Sequence, residues 1–159
     1  MKTLTISALT LSIFTFCAIP AFADFIDPYD VSNWTSSTEY GGSIHLSGAP
    51  TSITLISGDG QVVASSQDFT IEAVDNGLVS FNWAFSTSDW GASWDPFGYL
   101  LNGIFTQLTD DHGLDTQRGT ASFAVLAEDV FGFRAYSVDP FLDQGPRSSP
   151  TFPPQGIPP

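Results

Sequence analysis

Beyond Lys2 the sequence contains no lysine, and beyond Cys17 no cysteine. Downstream of residue 17 there can be no thiolate nucleophile, no lysine Schiff base and no lysine-dependent phosphate loop. Histidine is scarce as well. His45 and His112 alone cannot build a three-histidine zinc site, neither lies in a metal-ligand spacing, and each reads as a structural residue of a strand or turn. Serines are plentiful, yet the G-x-S-x-G pattern of a nucleophile elbow is absent. No segment sustains a helical period.

The first residues, M-K-T-L-T-I-S-A-L-T-L-S-I-F-T-F-C-A-I-P-A-F-A, place one basic residue before an apolar run that ends in Ala21-Phe22-Ala23. This is the pattern of a secretory signal peptide over residues 1–23, cut before Asp24. The run falls short of the ~20 residues of a bilayer span, and Pro20 breaks it. Phe16 is bulky where a lipoprotein signal needs a small residue before its cysteine. The expected location is secreted, extracellular or cell-surface, with the periplasm as the other compartment on that route.

Cleavage would leave about 136 residues, enough for one domain with its own core, and no cysteine for disulfides. Stability must then come from that core or from bound ions. Losing Lys2 takes the net charge from −13 to −14, with Arg118, Arg134 and Arg147 against 17 acidic residues. Such a surface repels nucleic acid and anionic membranes. It admits cations and neutral ligands such as sugars, and it also serves solubility alone.

What is abundant is alternation. Period-two runs predict strands over Ser43–Leu46, Ser52–Ser57, Gln67–Ala73, Leu78–Phe85, Gly98–Leu108, Thr120–Leu126 and Val130–Val138. Gly, Asp and Asn clusters such as Asp75-Asn76-Gly77 and Asp110-Asp111-His112-Gly113 separate them. Val79, Phe81, Trp83 and Phe85 share one strand face, as do Phe123 and Val125, and Phe131, Phe133 and Ala135. The expected fold is an all-β antiparallel β-sandwich or jelly roll over residues 24–144. Residues 145–159 hold six prolines and predict an extended, disordered tail outside any sheet interior. A Pro-rich ligand for a partner domain is the functional alternative.

Three readings compete for the stretch S-D-W-G-A-S-W-D-P-F-G-Y, residues Ser88 to Tyr99. Trp90 and Trp94 lie outside the strand pattern and offer ring faces on which a pyranose stacks, with Asp89 beside them to bond hydroxyls. One or both tryptophans folding back over the sandwich as a lid is the alternative. The third is calcium, for which Asp110, Asp111 and Asp115 crowd one loop, and Asp89 and Asp95 another. With Gly98–Leu108 as one straight strand, about eleven residues at ~3.3 Å each would hold these loops more than ~30 Å apart, too far to share an ion. A carboxylate glycosidase would need two of Glu39, Glu72 and Glu128 facing across a cleft.

The run V-S-F-N-W from Val79, then D-P-F-G-Y-L-L-N-G-I-F-T-Q-L-T from Asp95, then F-G-F-R from Phe131, resembles a group of secreted bacterial β-sandwich proteins of the PEP-CTERM-associated type. The resemblance covers most of residues 25–141. It implies an extracellular or surface module with no assigned reaction, and it carries over no catalytic residue. Similar chains continue past Val138-Asp139 through a strand of the type I-S-N-F-S-A-P and, in some, a sorting tail; here the Pro-rich segment stands instead. A closing C-terminal strand is therefore expected to be missing, and a shifted reading frame through Arg147 to Pro159 would account for it. An edge left unpaired in this way favours self-association.

The expectation from sequence is a non-enzymatic, secreted or cell-surface β-sandwich module of matrix or adhesion type, partnered by polysaccharide or by a surface or matrix protein. The alternative is a glycan-binding module using Trp90 and Trp94, and behind it a small carbohydrate-active enzyme. No catalytic residue is assigned, and calcium is the candidate cofactor.

Overall fold

The structure is a computed structural model and describes residues 25–58, 63–138 and 151–152. The signal peptide expected over residues 1–23 lies outside the described residues, as does residue 24. Alternating segments become strands β1 (Thr35–Thr38), β2 (Ser43–His45), β3 (Ile53–Ile56), β4 (Ser65–Glu72), β5 (Gly77–Ser86), β6 (Phe97–Leu101), β7 (Ile104–Gln107), β8 (Thr116–Val125), β9 (Val130–Ser137) and β10 (Thr151–Phe152). They form two five-stranded sheets, ordered β1-β4-β9-β6-β7 and β2-β3-β10-β5-β8, in which every neighbouring pair is antiparallel. The chain is an all-β sandwich of jelly-roll type.

Between the sheets lies an aromatic core. Val79, Phe81, Trp83 and Phe85 of β5 are buried on one face, as their spacing predicts, opposite Phe69 of β4 and Phe131 and Phe133 of β9. Trp34 sits at its centre, its ring stacked on Phe69 at 4.9 Å and on Phe133 at 5.8 Å. Its indole N–H donates to the Tyr29 carbonyl at 3.0 Å, so the one polar atom of the ring is satisfied inside the core. Burying each such side chain stabilises the fold by about 1.5–3 kcal/mol, and the shared inner face fixes register, since a one-residue slip would turn every aromatic outward.

Two expectations are corrected. Gly98–Leu108 is not one strand but the hairpin β6–β7, turning at Asn102 (φ 50) and Gly103 (φ 79). A two-residue turn with positive φ at both positions matches the right-handed twist of its strands, and Asn-Gly is the pair best suited to it.

The Pro-rich segment does enter a sheet. Thr151 and Phe152 form β10, pairing with Thr54 and Ile53 of β3 on one side and, through Thr151, with Ala84 of β5 on the other. Pro150 and Pro153 flank these two residues without occupying the pairing positions, so both retain an amide donor. Among the described residues β10 is the only strand between β3 and β5, and it supplies two residues beside the ten of β5. The rest of the segment 145–159 lies outside the described residues.

Candidate functional site

Because β6 and β7 double back, the chain returns after Gln107 to the place where β6 began. The Leu108 amide donates to the Phe97 carbonyl at 2.8 Å, and the Phe97 amide donates to Thr109 Oγ1 at 3.0 Å. The Thr87 amide in turn donates to the Asp115 carbonyl at 2.9 Å. The Ser88–Trp94 loop and the Asp110–Asp115 loop therefore share one end of the sandwich, which corrects the expectation that a straight strand holds them apart.

A polar clasp fixes the base of the first loop. Asp95 is buried, and its carboxylate accepts from Ser57 Oγ at 3.0 Å and from Thr87 Oγ1 at 2.6 Å. Thr87 Oγ1 also accepts from the Asp89 amide at 3.0 Å, and Asp89 Oδ1 accepts from the Trp90 amide at 2.9 Å. Asp89 is itself buried, so it belongs to the scaffold of the loop rather than to its outer surface. A carboxylate taken out of water is tolerated where donors meet it, and here Ser57, 38 positions away, and Thr87 supply them to Asp95.

On this base the tryptophans differ. Trp90 is 87% exposed, whereas Trp94 is 39% exposed and closes a single turn of 3-10 helix, Ala92–Trp94, anchored by fully buried Ala92. The Trp94 carbonyl accepts from the Val138 amide at 2.9 Å, which ties the loop to the end of β9. Neither ring is buried, so neither acts as a full lid, and Trp90 presents most of its ring to solvent.

The second loop is held by hydrogen bonds. Gln117 accepts from the Asp110 amide at 2.8 Å and donates to the carbonyls of Asp110 at 2.9 Å and Leu114 at 3.0 Å. Asp110 Oδ1 accepts from the His112 amide at 3.0 Å, Asp111 accepts from Gln107 Nε2, and Asp115 is exposed. Among the described residues no group of three or more His, Cys, Asp or Glu side chains gathers as metal donors.

Of the three glutamates, Glu39 stands apart, while Glu72 and Glu128 lie toward the same end of the sandwich. Glu39 accepts from the Ser66 amide at 2.9 Å near the start of β4, while Glu72 ends the same strand about 20 Å away at ~3.3 Å per residue. Glu128 stands in the β8–β9 turn, its amide donating to the Ala73 carbonyl at 2.8 Å. Glu39 thus faces neither of the others. His45 is exposed on β2 and bonds Ser43 Oγ at 3.0 Å.

Sequence reasoning missed the clasp residues Ser57 and Thr87. A serine after an apolar strand and a threonine in a polar run carry no period of their own; only the paired aspartates of the loop hinted that donors were needed.

What fold and site define is an all-β sandwich module with a tryptophan-bearing loop braced by a buried carboxylate. No family model matches the chain and no curated protein does. Among solved structures it is similar to a CBM35 from Paenibacillus barcinonensis, at 10% identity and a TM-score of 0.37 over 76% of this chain and 91% of that one. It is also similar to a family 35 carbohydrate binding module from Clostridium thermocellum, at 12% identity and 0.38 over 85% and 98%. A third is a CBM35 in complex with a glucuronic acid containing disaccharide, at 8% identity and 0.38 over 86% and 87%. The fold assignment rests on the strand pairing itself.

Proposed function

We propose that this chain is a secreted, non-catalytic β-sandwich module that binds glycan through Trp90 and Trp94. The observation that carries the reading is the 87% exposure of Trp90 on a loop whose base is buried and hydrogen-bonded. An indole left in water forgoes several kcal/mol of burial that a core position would give it. A braced loop holds it there in one orientation, which lowers the ordering cost when a flat sugar ring stacks on it. Trp94, half covered on the same loop, supplies a second ring edge.

For a hydrolytic reading Glu39 has no partner, because it sits toward the opposite end of β4 from Glu72, which leaves Glu72 and Glu128 as the one pair at a common end. The acidic surface favours neutral sugars over polyanions. Glycan-array binding followed by calorimetry, with Trp90→Ala and Trp94→Ala beside the parent chain, tests the reading. The expected result is a glycan signal that Trp90→Ala removes and Trp94→Ala weakens. An array blank at all neutral glycans, or binding indifferent to both substitutions, would overturn it.

A further inference from the structure

Four strands form the outer edges of the two sheets, and three are short: β1 and β7 have four residues each and β2 has three. The fourth, β8, has ten. It pairs with β5 on its inner side in ten consecutive registers, Gly77↔Val125 through Ser86↔Thr116, without a bulge. Among the described residues no strand pairs with its outer side. A long, straight edge is a template for another strand, and proteins commonly blunt such edges with proline, lysine, bulges or brevity. From Thr116 to Val125 β8 has no proline and no lysine.

The edge also carries no acidic side chain. In a chain of net charge −13, residues 116–127 hold no acid, and β8 carries a single charge, on Arg118. Its outward residues are otherwise small and neutral: Thr116, Thr120, Ser122 and Ala124. Gly119 pins the strand to its neighbour, because a Cβ there would come within 3.0 Å of the Trp83 indole.

We infer that β8 is the seam of a two-fold dimer of this chain, in which β8 of one copy pairs antiparallel with β8 of the second to join two five-stranded sheets into one of ten. A second copy fits better than an unrelated strand because the pairing is its own complement. With a two-fold axis normal to the sheet near Thr120, Thr120 meets its own copy and Arg118 meets Ser122 of the second chain. No two like charges are opposed within the strand. Even parity of this register also keeps both cores on the same side of the joined sheet.

Two measurements on the full chain test this independently of any glycan. Sedimentation should show a dimer whose dissociation constant rises at least ~tenfold in Thr120→Lys/Ser122→Lys, where four lysines and two arginines crowd one seam. Ile104→Lys on the edge strand β7 should leave it unchanged, and equal thermal melts would show that the variants fold. In a Cys17→Ser background, Thr120→Cys should oxidise to a covalent dimer, since antiparallel partners place their Cα atoms ~4.5–5.5 Å apart, within disulfide reach. Ile104→Cys should not. A monomer at ~1 mM, a dimer insensitive to the lysine pair, or a dimer split by Ile104→Lys would overturn the inference.

Discussion

Thr87 Oγ1 lies 2.6 Å from Asp95 Oδ2 and donates to it, with both side chains buried. The hydroxyl is donor to the carboxylate and acceptor for the Asp89 amide at once, so one oxygen ties the end of β5 to both halves of the tryptophan loop. Replacing Thr87 by the near-isosteric valine removes these bonds while keeping volume. The expected cost is about 1–3 kcal/mol in urea unfolding, the usual penalty when a buried charged group loses a donor. Glycan affinity should fall with it, because the loop beneath Trp90 loses its brace.

Two tryptophans should behave oppositely. Trp34→Ala removes the ring stacked between Phe69 and Phe133 and should cost about 3–5 kcal/mol. Trp90→Ala, at an exposed position, should stay within about 0.5 kcal/mol of the parent. Equilibrium unfolding of both variants checks this, and a large loss at Trp90 would mean that the ring supports the fold.

At the other end of the sandwich Asp129 accepts from Asn102 Nδ2 at 2.8 Å and from the Leu126 amide at 2.7 Å, joining the β6–β7 and β8–β9 turns. The Asn102 bond first, and then the Leu126 amide, hold its carboxyl below the ordinary 3.8. A lowered folded-state value stabilises the fold above 3.8, and that contribution is lost as pH falls through the folded value. Asp30, lowered by its bonds from Ser32, acts in the same direction. Thermal melts should therefore show Asp129→Asn less stable than the parent at pH 7, with the gap closing as pH drops below 3.8.

The Asp110–Asp115 loop has its own internal support in Gln117, which bonds its backbone three times. Calcium or EDTA should accordingly move the melting temperature by less than about 1 °C, while Gln117→Ala lowers it. A rise of several degrees with calcium would instead mean that an ion binds the folded chain.

Ending the chain after Ser149 removes β10 and with it the strand joining β3 to β5. The expected loss is about 1–3 kcal/mol, from roughly one kcal/mol per backbone bond given up. Unchanged unfolding would show that the two strands do not depend on it. Extending β10 with a strand of the I-S-N-F-S-A-P type should stabilise the sheet by a similar mechanism.

Much of the sandwich was legible in the sequence because the relevant signal is local. A strand shows opposite faces to water and core every other residue, so Val79, Phe81, Trp83 and Phe85 declare both their structure and their direction. Where that contrast is missing, the sequence is silent: β1 reads Thr-Ser-Ser-Thr, is exposed throughout, and exists because β4 pairs with it. The Asn102-Gly103 turn was present as a signal, but the apolar run around it read as one strand. The composition also determined what chemistry the chain beyond Lys2 and Cys17 lacks, and the placing of Trp90 and Trp94 outside any strand marked the candidate surface. Which loops meet was decided only by the tertiary structure. Ser57 reaches Asp95 across 38 positions, and Thr87 reaches Asp115 only because the hairpin brings the chain back. Such bonds depend on the path of the backbone through two sheets, and no local period records that path.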